Sequence, residues 1–324
     1  MMLEQTLSGI QVIEVATYVP GPVCTQILRG LGAEVTKVSR PGGDPLRHLP
    51  PLDAAYELFN AGKREIEVDL RSATGAATLR DLVLRADILV DGLRPGALER
   101  MGLGMSLLQS LNPRLIYCAL SGYGLSGAER ERAGHDLDFV ARSGLLATTT
   151  VGGVPALPGT QLADMVTGLT AVTAILAALQ ARERSGVGGM LDVSMLGATR
   201  WLMTPWYEVA RLRPGAEPLN GNQACYRAYR TADGRYLAVA ALEAHFWTRF
   251  CQALGRPELV ARQHDADQAV LAAEVAATIA ERSFAEWHQI FADLDACVSP
   301  LLTVEEAAAD GVASISLAAI SASW

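Results

Sequence analysis

The chain has 324 residues, 50% of them hydrophobic and 19% charged, with 27 Lys+Arg against 35 Asp+Glu and a formal charge of −8. Length and composition predict about two globular domains with ample apolar material for buried cores, and exclude disordered, collagen-like and coiled-coil classes. So acidic a chain has no general attraction to phosphate backbones or anionic lipid, so neither nucleic acid nor a membrane is expected as a partner, and an anionic ligand must be held by a few local cations.

In chain order, strand signals at Gln11–Ala16 and Glu34–Val38 bracket an apolar helical stretch, Val23–Leu31. Further β-rich runs follow at Glu65–Leu70, Asp87–Val90 and Arg114–Leu120, separated by helical patterns at Gly75–Arg85 and Ala97–Leu111. This alternation predicts an α/β fold with a mostly parallel sheet covered by helices on both faces. After the strand Arg114–Leu120 the alternation is expected to stop. The uncharged run Met165–Ala181 is too short and too broken by Gly and Thr for a membrane span and reads as a buried core helix within Asp164–Arg184. A second helical stretch, Asp192–Leu212, leads to a linker marked by Pro214, Gly215 and Pro218. Cys225–Arg230 and Arg235–Ala241, joined through an Asp-Gly turn signal, read as a hairpin. Helices Ala244–Leu254, Val270–Arg282 and Phe284–Asp293 complete a smaller α/β unit. The expected division is a large domain at 1–195, a helical linker at 196–224, a small α/β domain at 225–303 and a tail at 304–324. The five cysteines are scattered without a CxxC pair, which argues against a zinc knuckle or a thioredoxin-type site. The first residues lack the basic and apolar regions of a signal peptide, so the cytoplasm is the expected compartment.

Three glycines, Gly122, Gly124 and Gly127, form a G-x-G-x-x-G directly after a strand, yet the residues that follow, Ala-Glu-Arg-Glu-Arg, do not open an apolar helix. A dinucleotide fingerprint requires that helix, so a nicotinamide site is not expected. More informative are His135, Asp136, Asp138, Asp164 and Glu243. His135 lies in Gly134-His135-Asp136, on a loop entering an apolar stretch, where it is either an acid/base group or a neighbour of a helix cap. Asp136 and Asp138 fit helix capping. Asp164 opens the uncharged helix, either as its cap or beside free N–H groups and a positive dipole end able to hold an enolate oxygen. Glu243 sits where a β-run meets a helix and would ordinarily be a first-turn acid. Cations that could hold a phosphorylated ligand stand in three loops: Arg40, the pair Lys63 and Arg64, and Arg94.

Read together, these segments resemble the family III CoA-transferases and, within them, the alpha-methylacyl-CoA racemases. The resemblance is carried in order by Gly9–Glu14, Pro20-Gly21-Pro22, Leu31–Val35, Arg40-Pro41-Gly42, Asn60-Ala61-Gly62-Lys63-Arg64, Asp87–Val90, Arg94-Pro95-Gly96, Leu120–Gly124, Gly134-His135-Asp136 and Leu162-Ala163-Asp164. It continues through Tyr226–Trp247 to Cys297–Leu302 and covers about residues 7 to 308. It implies a Rossmann-like large domain and a smaller α/β domain in an intertwined homodimer, with an acyl-CoA as substrate. His135, Asp164 and Glu243 fall on the racemases' catalytic positions. Arg40, Asn60, Ala61, Gly62, Lys63, Arg64, Arg94, Gly134 and Asp136 fall on positions assigned to binding CoA. Coenzyme A enters as part of the substrate, and neither a metal nor another cofactor is expected. Past Thr303 the chain departs from the family, which implies a shortened tail.

The implied reaction is epimerisation of a 2-methylacyl thioester, in which one group removes the α-proton and a second returns it on the other face. His135 and Asp164 would form that pair, with Glu243 bonded to the imidazole. The alternative is CoA transfer through an acyl anhydride on Asp164.

Overall fold

The computed structural model describes residues 5–151, 153–216 and 219–309. The backbone divides into two compact units: described residues 5–147 with 155–205, and 148–154 with 206–309. In the larger unit, β1 (Gln11–Val15) leads through α1 (Pro20–Gly30) to β2 (Glu34–Ser39), α2 (Ala54–Asn60), β3 (Arg64–Glu67) and α3 (Ala73–Val83). The chain then forms β4 (Ile88–Asp91), α4 (Ala97–Arg100), α5 (Met105–Leu111) and β5 (Ile116–Ser121). Next come α6 (Asp136–Arg142) and α7 (Leu145–Thr148), then the two short strands β6 (Thr150–Val151) and β7 (Val154–Pro155), whose segment 148–154 is assigned to the second unit. They precede α8 (Leu162–Ser185), β8 (Gly189–Ser194) and α9 (Met195–Leu202).

Six parallel strands form one sheet in the order β3-β2-β1-β4-β5-β8. Successive strand residues point to opposite faces, and that alternation divides the apolar residues between two cores. Val12, Val35, Ile88, Val90, Ile116 and Cys118 pack beneath α1 and α8. Ile13, Val15, Val38, Leu89, Tyr117 and Ala119 pack on the other face beneath α3 and α5. Each fully buried aliphatic side chain there contributes roughly 1.5–3 kcal/mol. Close approach of α1 and α8 depends on Gly168: a Cβ there would lie 2.9 Å from Val23 Cγ1 and 3.1 Å from the Pro20 carbonyl oxygen.

Three sequence expectations change. The parallel ladder does not stop after β5, because Gly189–Ser194, expected as a loop running into a helix, is the edge strand β8 paired with β5. Its glycines and polar residues hid a strand that only pairing specifies. The stretch Ala97–Leu111 is two helices, separated where Gly102 takes φ +69°. Finally, α8 buries one face, through Ala163, Thr167, Ala171, Ile175 and Leu179, while Leu169 on the other face is exposed. By length and composition alone α8 could cross a membrane. Composition cannot reveal which face a partner helix covers, and here α1 covers one.

Both α9 and the first residues of α10 (Thr204–Leu212) precede or meet the unit boundary at Pro205, so α9, expected in a linker, belongs with the large unit. The second unit forms the expected hairpin, β9 (Tyr226–Arg230) with β10 (Tyr236–Ala240), turning at Gly234 with φ +83°. It continues with α11 (Ala244–Ala253), α12 (Gln268–Ile279), α13 (Phe284–Phe291), a third strand β11 (Val298–Pro300) and α14 (Val304–Ala309). The strand β11 pairs antiparallel with β10 and had no sequence signal longer than three residues. Trp247, Phe250, Leu271, Val275 and Trp287 fill this unit's core. Both indole N–H groups are satisfied, Trp247 donating to the Leu259 carbonyl at 3.0 Å and Trp287 to the Ile279 carbonyl at 2.8 Å. The tail expected to depart from the family lies, from residue 310 onward, outside the described residues.

Candidate active site

In this strand order the chain steps outward from β1 to β2 and β3, then returns to place β4 on the other side of β1. The loops leaving β1 and β4 therefore diverge, and a crevice opens at their carboxyl ends. A cleft of about 780 Å³ occupies that place. Its walls include Thr17 and Tyr18 after β1, Leu93 and Arg94 after β4, Ser121 and Gly122 at the end of β5, the loop Arg130–Leu137, and Gln161 and Asp164 at the start of α8.

The cleft brings His135 and Asp164 together. His135 is exposed at the N-cap of α6, where its backbone N–H donates to Asp138 Oδ2 at 2.9 Å. Asp138 thus performs the capping role its position suggested. Gly134 sets the approach of the loop, since a Cβ there would lie 2.8 Å from Phe139 Cζ and 3.0 Å from the Tyr123 hydroxyl.

Asp136 caps a helix as well, but not its own. Its Oδ1 accepts the Asp164 N–H at 3.1 Å, and its carboxylate also takes the N–H groups of Leu162 and Ala163. This corrects one expectation: the N-terminus of α8 is capped by Asp136 rather than open to an enolate oxygen. Asp136, which also lines the cleft, does cap a helix as its residue type suggested. Burial still pushes the Asp136 carboxyl up, against those three hydrogen bonds. The same arrangement sets Asp164: burial first, and the neighbouring Asp136 charge second, push its carboxyl from the usual carboxylate range to about 7. Among the described residues no cation offsets them. A carboxyl titrating near neutrality can both give and take a proton at working pH.

Glu243 belongs to the second unit, exposed at the N-cap of α11, whereas every cleft-lining residue belongs to the first. Its charge helps to raise the nearby Cys297 thiol, after burial itself.

The cations separate into two groups. Arg40 lines a second cavity of about 470 Å³ with Val38, Asp69, Leu70 and Arg71. Thr17 and Leu93 line this cavity and the cleft alike, so the two meet there. Arg94 is exposed on the cleft wall. Among the described residues, Arg40, Arg71 and Arg94 form no ion pair, which leaves three guanidinium groups available to an anion. Arg71 went unread in the sequence, although its place just past a strand is the signal that singled out Arg40.

The segment Asn60–Arg64 lies apart from both: Asn60, Ala61, Gly62 and Lys63 line a smaller pocket of about 170 Å³ with Lys37, Arg47 and Tyr56. Lys63, expected to meet a phosphate, is buried with its Nζ 2.8 Å from Glu14 Oε2 and donating to the Pro22 carbonyl at 3.0 Å and to Asn60 Oδ1 at 3.3 Å. Asn60 is buried and donates to the Tyr56 carbonyl. The Ala61 carbonyl accepts from Gln26, and Gly62 takes φ +73° with the Arg29 guanidinium packed against it. Arg64 is exposed on the edge strand. None of these five lines the cleft or the Arg40 cavity.

Lys63 is one member of a four-charge cluster that sequence reading missed. Lys37 and Glu14 are wholly buried, with Lys37 Nζ 2.6 Å from Glu14 Oε1. Lys37 also lies 3.0 Å from Asp44 Oδ2, an ion pair whose angle falls short of a hydrogen bond, and donates to the Ala16 carbonyl at 2.9 Å. Thr25 donates to Glu14 Oε2 at 2.5 Å. Burial would raise Glu14, but the two ammonium groups outweigh it and hold the carboxyl below its ordinary range. For Lys63 the balance is reversed, with burial lowering its ammonium in spite of Glu14. The available signal was a charged residue at the centre of each apolar strand, Glu14 in β1 and Lys37 in β2.

The profile of CoA-transferase family III matches residues 7–315. The chain belongs to that family. It is similar to human alpha-methylacyl-CoA racemase, 38% identical over 311 residues that span 93% of this chain and 78% of the relative. It is also similar to a probable fatty acyl-CoA transferase of Mycobacterium tuberculosis, 34% identical over 88% of this chain and 79% of that one. Among solved structures, a CAIB/BAIF family protein from Brucella suis superposes with a TM-score of 0.81 at 30% identity, covering 94% of this chain and 86% of that one.

Proposed function

We propose that the protein epimerises 2-methylacyl-CoA thioesters by 1,1-proton transfer. One observation carries the reading: an Asp164 carboxyl pushed to about 7 in the same cleft as the His135 imidazole. In one direction the first group removes the α-proton, the C–H electron pair moves into the C–C bond, and the carbonyl oxygen becomes an enolate oxygen. The second group then gives its proton to the opposite face of the α-carbon, leaving the pair with its protonation states exchanged. A carboxyl that titrates near neutrality suits both halves of this cycle, whereas a resting nucleophile would be held ionised. The chemistry itself calls for neither a metal nor a redox group. The CoA nucleotide would lie toward Arg40 and Arg71, its pantetheine arm passing Thr17 and Leu93 to bring the thioester into the cleft. The proposed support of His135 by Glu243 rests on the resemblance to the racemases. So does a homodimer, for which the exposed Leu169, Met190 and Trp201 of the large unit offer apolar surface.

The test is incubation of one epimer of a 2-methylacyl-CoA with the protein in D2O, following the α-proton by NMR and the product by a chiral assay. Deuterium incorporation with epimerisation is expected, abolished in Asp164→Ala and reduced at least ~10²-fold in His135→Ala. Absence of exchange, with CoA passing to an added carboxylic acid, would overturn the reading in favour of transfer through Asp164.

A further inference from the structure

Tyr18 stands in the cleft wall with a backbone that no bulky side chain adopts freely. Its φ is +63°, in the left-handed region where glycine is the usual occupant. Such strain persists only where surrounding structure over-determines it, and it concentrates at functional sites. Here the restraint comes from the buried charge cluster and acts on both sides of the residue. Lys37 donates to the Ala16 carbonyl at 2.9 Å, and the Tyr18 N–H donates to Asp44 Oδ1 at 3.2 Å. Asp44 is wholly buried, accepts a second hydrogen bond from the Leu46 N–H at 3.0 Å, and is paired with Lys37. The two charged groups thus clip the turn after β1 at Ala16 and at Tyr18.

The clip delivers the Tyr18 ring to His135. Their centroids are 6.5 Å apart and their planes perpendicular, an edge-to-face contact within the usual range for aromatic pairs. Tyr18 is the one ring found against His135 among the described residues, and the imidazole is otherwise exposed. We propose that Tyr18 is a positioning residue for His135: the cluster of Glu14, Lys37, Asp44 and Lys63 holds the strained turn, and the turn holds the ring that orients the imidazole. This deepens the proposed reaction and rests on His135 being one of its two acid/base groups.

Two readouts separate the contact from the activity. In the resting enzyme, with the His135 imidazole resonances assigned by comparison with His135→Asn, Tyr18→Leu should displace those resonances and Tyr18→Phe should leave them close to their original place. In D2O exchange, Tyr18→Leu should lower kcat on the order of tenfold with KM little changed, and more strongly from the epimer whose proton His135 removes. Tyr18→Phe, which keeps the ring, should restore most of the loss. Tyr18→Gly relieves the backbone strain, so its melting temperature should equal or exceed that of the parent while exchange falls as in Tyr18→Leu. Imidazole resonances unmoved in Tyr18→Leu, or equal loss in the Leu and Phe variants, would overturn the positioning role. A parent enzyme without exchange overturns the proposed reaction instead, and the resonance comparison still decides whether Tyr18 orients His135.

Discussion

The large unit holds two groups of charges, each gathered from distant parts of the sequence, and treats them in opposite ways. Around β1, two carboxylates and two ammonium groups are buried together and neutralise one another: Glu14 and Asp44 against Lys37 and Lys63. At the start of α8, Asp136 and Asp164 are brought together with only backbone N–H groups between them and, among the described residues, no cation paired with Asp164. The first arrangement fixes protonation, and Glu14 is held below the ordinary carboxylate range. The second leaves Asp164 near 7, between its two states. Paired charges buried around β1 make a frame; an unpaired carboxyl facing the cleft makes a reagent.

The comparison breaks most visibly if a partner is taken from the frame. Lys37→Met leaves Glu14 and Asp44 with Lys63 alone, and removing one member of a buried ion pair costs about 3–5 kcal/mol. Urea denaturation should show a loss of that size; a change of under about 1 kcal/mol would mean that the cluster is not the frame described. Asp164→Asn should act in the other direction. Its carboxyl has a folded pKa raised above the unfolded value, so folding favours the protonated form, and the parent's stability is fully held near pH 4 and lost as pH rises toward 7. Asparagine cannot ionise. The variant should therefore be more stable than the parent by about 2–4 kcal/mol near pH 8, with almost no difference near pH 4. Equal differences at the two pH values would show that Asp164 is not held in this state.

How far these regions could be read beforehand follows from what each one is made of. The strands β1, β2, β4 and β5 were legible because their apolar runs are bounded by turn residues, and the hairpin was legible from its Asp-Gly turn. The strand β8 was not, because Gly189, Asp192 and Ser194 carry no apolar period and the strand exists through pairing with β5. In the site, His135 and Asp164 stood out as polar residues at helix starts. Tyr18 did not, since a left-handed backbone at a residue other than glycine is dictated by distant groups. The pairing of Lys63 was hidden for a related reason: a lysine beside a glycine in a loop reads as solvated, and only the fold turns its ammonium inward onto Glu14. Asp136 was legible as a cap, but the helix it caps begins at Leu162, which local sequence could not indicate.

That cap yields the smallest of the expected effects and the finest division of the site. In Asp136→Asn the amide oxygen can still accept from the Asp164 N–H, so the helix start is largely retained at a cost of about 1 kcal/mol. What disappears is the negative charge beside Asp164. Asp136's charge is the second cause of the raised Asp164 value, after burial, so removing it should lower the Asp164 titration without returning it to the ordinary range. A downward shift of roughly one unit or less is expected in the acid limb of the exchange rate, read in D2O across pH, with stability nearly unchanged. If the limb stays in place, burial alone sets Asp164. If it moves by several units, the carboxylate pair, more than the apolar wall, keeps the reagent poised. The two carboxyls would then titrate as one coupled system, and the contrast with the neutralised cluster around β1 would become a contrast between two kinds of charge pairing.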